Sequence, residues 1–216
     1  MVDVVYTWVD GSDARWLEKK NSALSLVDPE AASRSSSAVS DSRFCNRDEL
    51  KYSLRSLEKF AGFVTRIHIV TDHQIPSWLD TAHPDIQLVS HEAIFANADD
   101  LPTFNSHAIE ANLHRIESLS ERYIYLNDDF TFYAPCGESD FFDSSGRAVI
   151  YFDHRKVVRR PWCFGYDSPV NAAARNNSRL LESLAFSPIT HRLDHVPYAL
   201  RKSVIEELWE KFPDQL

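Results

Sequence analysis

Residues 101–130 read LPTFNSHAIEANLHRIESLSERYIYLNDDF, and this stretch decides the fold. Ile109, Leu113, Ile116 and Leu119 recur at intervals of three and four, the spacing of one helix face. An apolar run from Tyr123 to Leu126 follows and ends on Asn127, Asp128 and Asp129. A helix leading into a buried strand is the repeating unit of a parallel α/β sheet. Such sheets bind ligands at the carboxyl ends of their strands, so two carboxylates at that mouth mark a candidate site. Adjacent carboxylates suit a hard cation such as Mg²⁺, which in turn suits a phosphate, as in a nucleotide or nucleotide-sugar. The same three residues also read as a solvated turn, because Asn and Asp favour turns.

Working outward, Val2 to Val9 (VDVVYTWV) is a β-branched and aromatic strand closed by Asp10-Gly11-Ser12-Asp13. Gly11 lets the backbone come close to a ligand at that turn. Leu50, Leu54, Leu57 and Phe60 predict an amphipathic helix over Arg47 to Phe60. Arg66 to Thr71 is the next strand and ends at Asp72; Ile86 to Ser90 is another and ends at His91-Glu92. Val149 to Phe152 is read as a further strand leading to Asp153-His154. The alternation predicts a Rossmann-like α/β fold: a mostly parallel sheet with helices on both faces, and an irregular helical C-terminal part. Asp10, Asp72, His91 and Asp128 then line one edge of that sheet.

Composition narrows the class. With 216 residues, 44% hydrophobic and 25% charged, the chain is long enough for one sizeable α/β domain spanning 1–216, with room for a small subdomain. Ser and Ala crowd 28–42 without periodicity, which reads as a flexible insertion, and 185–216 reads as a helical terminal segment. A net charge of -9 argues against a nucleic-acid partner. No apolar run of about 18 residues predicts a membrane span, and no basic leader is visible, so the expected location is cytoplasmic or peripheral at the inner face of a membrane. Cys45, Cys136 and Cys163 have neither a paired framework nor metal spacing and read as reduced thiols. The cluster His154 to Arg160 is a solvated loop or a landing site for an anionic glycan.

Asn171 to Leu184 reads as a short helix, and Leu200, Val204, Leu208 and Phe212 as a helix starting near Pro197. That start places His195 at a helix N-terminus, where a neutral imidazole beside a bound phosphate is physically reasonable. His191 and His195 do not form a zinc pair, since HRLDH lacks the required Glu and prolines at 188 and 197 interrupt the helix. His107, Glu110 and His114 share one polar helix face and read as pocket lining.

With these residues in hand, the segments DVVYTWVDGSD (3–13), RDELKYSLRSLEKFAGFVTRIHIVTDHQIPSWL (47–79), VSHEAIF, LPTFNSHAIEANLHRI, YIYLNDD and HRLDHVPYALRKSVIEEL (191–208) resemble the first three sequence blocks of the Stealth family. Its members include bacterial capsular polysaccharide phosphotransferases and the α/β subunits of N-acetylglucosamine-1-phosphotransferase. The resemblance implies transfer of a hexose-1-phosphate or N-acetylhexosamine-1-phosphate from a UDP-sugar donor to a hydroxyl of a glycan acceptor. UMP is released, a divalent cation (Mg²⁺ or Mn²⁺) assists, and the setting is capsular or exopolysaccharide synthesis, peripheral to an assembly complex.

Matched motif by motif, the resemblance makes Glu110, Asp129 and His195 active-site residues of a single catalytic domain; the mechanism that fits them has His195 as general base and Asp129 with Asp128 as the metal ligands. The block from Asp3 to Gly11, including Tyr6, Thr7, Trp8 and Asp10, is expected to line the nucleotide pocket. Asp72, Asn105 and Ser106 are expected to bind substrate. Two departures stand out. His73 replaces the family's usual Gly after Asp72, and the fourth block, with its active-site arginine, is expected beyond Phe212, where only four residues follow. Either the chain is truncated before that block, or Arg55, Arg115 or Arg201 supplies the positive charge. Two other readings stay open: a metal-dependent glycosyltransferase releasing UDP, and a non-catalytic nucleotide-sugar- or glycan-binding module.

Overall fold

In the computed structural model, residues 1–27, 44–157, 169–184, 186–187 and 189–213 are described; the Ser-rich stretch 28–42 and Cys163 fall outside them. The first strand, β1 (Val2–Thr7), sits at the middle of a five-stranded sheet. On one side it pairs in parallel with β2 (Ile67–Thr71), which pairs in parallel with β3 (Ile86–Ser90). On its other side it pairs in parallel with β4 (Arg122–Asn127). The order β3-β2-β1-β4 reverses direction across β1, so the crevice between β1 and β4 is the switch point where such sheets take ligands.

Strand alternation divides the core into two layers. Val2, Val4 and Tyr6 of β1 face α2 (Glu49–Phe60), packing with Leu50, Leu57, Ile124 and Leu126. Val5 faces the other way with Val70, Tyr123 and Tyr125. There it meets Ile94 of α3 (His91–Ile94) and Ile109 of α4 (Ser106–Asn112). Helices thus cover both faces, as the alternating pattern requires.

The helix before β4 is shorter than its apolar stripe. It ends at Asn112, and Leu113–Arg115 form a 3-10 turn. Ile116 and Leu119 are still buried, but from the connection that carries the chain back to the start of β4. Contacts with the sheet, not helical continuity, keep the stripe in register there.

The C-terminal segment differs more. No helix begins near Pro197; instead Tyr198–Arg201 form β7, antiparallel to β4 with Tyr125 opposite Tyr198 and Arg122 opposite Arg201. An unpaired edge of β4 leaves its backbone groups unsatisfied, and β7 satisfies them. The last helix, α6 (Lys202–Lys211), starts after this strand. Glu121 caps it, accepting the Ser203 backbone N–H at 3.1 Å and the Ser203 hydroxyl at 2.6 Å. The helix α1 (Ala14–Ser25) has no counterpart in the sequence reading; Asp13 caps it, accepting the Trp16 N–H at 2.8 Å.

The chain divides into two compact units, Met1–Lys20 with Cys45–Ile150 and Val196–Leu216, and Asn21–Phe44 with Tyr151–His195. The first holds the five-stranded sheet. The second contains α5 (Pro169–Ser183) and a two-stranded sheet of β5 (Phe152–Lys156) and β6 (His191–Leu193). The strand expected at Val149–Phe152 is therefore displaced: Ile150 and Tyr151 are exposed and pairing begins at Phe152. In the basic stretch that follows, Asp153 pairs with His154 at 2.8 Å and also with Arg155. Cys45 and Cys136 are free thiols. Among the described residues no helix is long and apolar enough to cross a membrane.

Candidate active site

Parallel register brings the carboxyl ends of four strands together, since Thr7 lies opposite both Val70 and Asn127, and Thr71 opposite Ser90. The residues that follow, Trp8 to Asp10, Asp72, His91 and Asp128, consequently share one edge. A cavity of ≈ 690 Å³ opens there, lined among others by Trp8, Asp10, Trp16, Asp48, Asp72 and Trp78. Its walls are tied together: the Asp10 N–H donates to Gln74 Oε1 at 2.8 Å and Gln74 Nε2 donates to the Asp10 carbonyl at 2.9 Å. Trp78 Nε1 donates to Asp48 Oδ1 at 3.1 Å, and Lys19 reaches both oxygens of Asp72 at 2.9 Å. Burial opposes ionisation of Asp10, but hydrogen bonds from Ser12 outweigh it and hold the carboxyl below its ordinary range.

The Asp3–Gly11 block does not act as a single lining. Asp3 is fully buried inside the sheet, where its carboxylate meets His68 Nε2 at 3.3 Å and accepts the Ser120 N–H at 2.8 Å. Tyr6 is also core, its hydroxyl 2.8 Å from Ser53 Oγ. Thr7 turns toward the crevice beside β4, Trp8 and Asp10 reach the cavity, and Gly11 forms the turn that Asp10 braces.

Asp128 has the most unusual electrostatics of the edge. Burial, then the neighbouring Asp129, then Glu49 at the start of α2 push its carboxyl up from 3.8 to about 6. Backbone hydrogen bonds at Asp128 and Asp129 offset only part of that rise. Among the described residues no cluster of three or more His, Cys, Asp or Glu forms a ready-made metal cage. Two carboxylates with open positions nonetheless fit Mg²⁺, which keeps waters and takes substrate phosphate as its remaining ligands.

Glu110 joins this edge through a tyrosine that sequence reasoning missed. The Tyr125 hydroxyl lies 3.1 Å from Glu110 Oε1, 2.8 Å from Asn127 Oδ1 and 3.0 Å from Thr7 Oγ1. A tyrosine inside YIYL carries no sequence signal beyond that of a core aromatic. The polar face expected of His107, Glu110 and His114 separates: His107 is exposed, whereas His114 is buried beyond the helix, its Nδ1 3.1 Å from the Ala111 carbonyl. Burial and then Arg115 push the His114 imidazole down to about 4.

The remaining expected residues scatter. Asn105 caps α4, accepting the His107 N–H at 3.1 Å, and Ser106 is the exposed first residue of that helix. Arg55 is exposed on α2, its guanidinium 5.8 Å from the Tyr52 ring centre. Arg115 donates to Asn112 Oδ1 at 3.1 Å and lies 4.9 Å from the Trp209 ring centre. It also lines a second cavity of ≈ 490 Å³ with Thr71, Gln87 and Ser90. Arg201 stands opposite Arg122, the first residue of β4, and pairs with Glu121 at 3.0 Å. That is the amino edge of the sheet, so Arg201 is excluded as the cation for a group bound at Asp128.

His195 is an exposed bend residue of the second unit, not the cap of a helix, so the helix-dipole argument for its chemistry does not hold. His73 sits in the left-handed region with φ 56, a conformation that glycine adopts without strain, and its imidazole meets Glu92 at 2.9 Å.

A β3-β2-β1-β4 order with helices on both faces defines a doubly wound, Rossmann-like α/β protein. Comparison with known sequences narrows the class: residues 2–27 match the Stealth protein CR1, conserved region 1, and residues 43–150 match the Stealth protein CR2, conserved region 2. The chain belongs to the Stealth family. It is 46% identical over 99% of its length to an exopolysaccharide phosphotransferase of Streptomyces coelicolor, of which it covers 35%. It is 39% identical over 100% of its length to a capsular polysaccharide phosphotransferase of Haemophilus influenzae, covering 58% of it, and 39% identical over 98% to one of Aeromonas hydrophila, covering 57%. The chain thus spans between about a third and three-fifths of these relatives. The segment 191–208 lies outside the two matched regions.

Proposed function

We propose that this chain carries the donor-binding and acidic part of a sugar-1-phosphate transferase acting in capsular or exopolysaccharide synthesis. The observation that carries this reading is the Asp128–Asp129 pair at the switch point, with the Asp128 carboxyl pushed up to about 6 by burial and then by the neighbouring Asp129. A site built so needs a cation, and a cation there favours a diphosphate. Mg²⁺ or Mn²⁺ held by Asp128 and Asp129 would supply charge neutralisation at the phosphates.

The chain's own residues do the rest. Trp78, half-buried in the cavity wall, gives apolar surface for the uracil of a UDP-sugar, Trp8 and Trp16 back the cavity from the core, and Asp10 offers acceptors for ribose hydroxyls. Glu110, held beside Asn127, orients a hydroxyl of the transferred sugar. The general base is carried by the resemblance of residues 191–208 alone: it assigns to His195 the proton of the acceptor hydroxyl, whose oxygen bonds to the sugar-linked phosphorus. The bond from phosphorus to the UMP oxygen breaks, and the sugar keeps its anomeric configuration. Arg55 and Arg115 remain the candidates of this chain for positive charge on the transferring group. The names of the relatives support this reading, and a cytoplasmic location peripheral to the membrane goes with it.

The test is the leaving product. A panel of UDP-sugars is incubated with phosphodiester-linked oligosaccharide acceptors and Mg²⁺, and nucleotide release is followed by chromatography. UMP released only with acceptor, and lost in EDTA, is the expected result. Release of UDP identifies a glycosyltransferase instead, and tight UDP-sugar binding with no turnover identifies a binding module.

A further inference from the structure

We propose that Tyr125 is a positioning residue that holds Glu110 and Asn127 across the crevice between β1 and β4. The inference rests on the transferase reading for its activity arm only. Tyr125 is 1% exposed, so it acts through its neighbours and not on a substrate. Its hydroxyl bonds side chains from three elements: Thr7 at the end of β1, Glu110 on α4 and Asn127 at the end of β4, immediately before the acidic pair. The ring is fixed from the side by Tyr198 of β7, stacked at 6.5 Å and 8°.

The proton count makes this a directed arrangement. A phenol has one proton and can accept one or two bonds. The Thr7 hydroxyl can donate to the phenol oxygen, whose own proton then goes to Asn127 Oδ1 or Glu110 Oε1. When a ligand engages Asn127, that proton goes to Glu110 and holds its carboxylate in place. Burial and the Glu110 charge push the phenol's pKa well above its ordinary value, so it remains a donor throughout the working pH range. A purely structural tyrosine here would need one partner, whereas this one joins the strand ends flanking the switch point to the helix carboxylate.

The experiment is Tyr125→Phe, which removes one oxygen and keeps the stack. Misplacing a reacting group by about 1 Å can cost about 10²-fold, so kcat for UMP release should fall about 10- to 100-fold with the donor KM within about threefold. Because Tyr125 acts partly through Glu110, adding Tyr125→Phe to Glu110→Gln should slow the enzyme by clearly less than Tyr125→Phe slows the wild type. A variant with wild-type kcat, or single effects that multiply in the double variant, overturns the inference.

The crystal structure of Tyr125→Phe gives an arm independent of turnover. Glu110 should leave its present position or become disordered, and an unmoved carboxylate overturns the proposal even in a chain that releases no UMP. Wild-type protein releasing no UMP strikes the transferase reading and leaves this arm to decide. Thr7→Val, isosteric and suited to a strand, covers failure of Tyr125→Phe to fold. It should show the same kcat loss at smaller amplitude, and wild-type kcat in it also counts against the proposal.

Discussion

Asp128→Asn should make the protein more stable, and only above acidic pH. In the folded chain the Asp128 carboxyl is pushed up from 3.8 to about 6, chiefly by burial and by Asp129. A group with a raised folded pKa contributes stability that is fully present below its unfolded pKa and lost as pH rises through the folded value. Wild type therefore carries no penalty at pH 3.5 and the whole of it above about pH 7. The rise from 3.8 to about 6 corresponds to roughly 3 kcal/mol, and partial access to water brings the expected gain to about 2 kcal/mol. The amide has the shape of the carboxylic acid and no charge. Urea unfolding followed by tryptophan fluorescence, at intervals from pH 4 to pH 8, reads the difference directly. The two stability curves should meet near pH 4 and separate through pH 5 to 7. Mg²⁺ should raise the wild type toward the variant and leave the variant unmoved. A gap of constant size across the range would refute the electrostatic origin, and a variant less stable at pH 8 would show that the Asp128 charge is satisfied in the fold.

Other substitutions separate the roles of the edge residues. Asp129→Asn should abolish divalent-dependent UMP release with unchanged thermal unfolding; full activity of this variant, or of the parent in EDTA, removes the metal assignment. His195→Ala should lower kcat by about 10², the usual worth of a positioned base, with donor affinity preserved in calorimetry; collapse of donor affinity with normal turnover makes it a binding residue instead. Arg201→Ala should leave UDP-sugar binding unchanged and cost no more than about 1 kcal/mol, because its partner Glu121 is at the far end of β4 and the pair is on the surface; weakened binding in calorimetry counts against that placement. His114, pushed down to about 4 by burial and Arg115, contributes stability present above its ordinary 6.5 and lost as pH falls through about 4. His114→Phe should therefore flatten the acid side of the stability profile between those values, and an unchanged acid limb in urea titrations rejects the assignment.

The parts of the fold legible in the sequence are those whose signal is local. Four strands and the helix Glu49–Phe60 follow from apolar runs and stripes, and their acidic or polar ends follow from where those runs stop. Because strands in parallel register end together, that reading also gathered Asp10, Asp72, His91 and Asp128 on one edge. The Stealth resemblance was carried by the same segments, which are long and unbroken.

What only the tertiary structure decided is everything that depends on a distant partner. The four residues Tyr198–Arg201 form a strand because the edge of β4 is open to pair with them, although their spacing alone continues a helix. That pairing sends Arg201 to the amino edge and displaces His195 from a helix terminus. Asp3 and Tyr6 alternate with lining residues in the same motif, yet the partners of β1 bury them. Tyr125 reads in the chain as one more apolar strand residue, and it gains a role only when Thr7, Glu110 and Asn127, 118, 15 and 2 positions away, meet at its hydroxyl. Periodicity records which face of an element is buried, while hydrogen bonds between elements depend on register and packing angle, which no local pattern encodes.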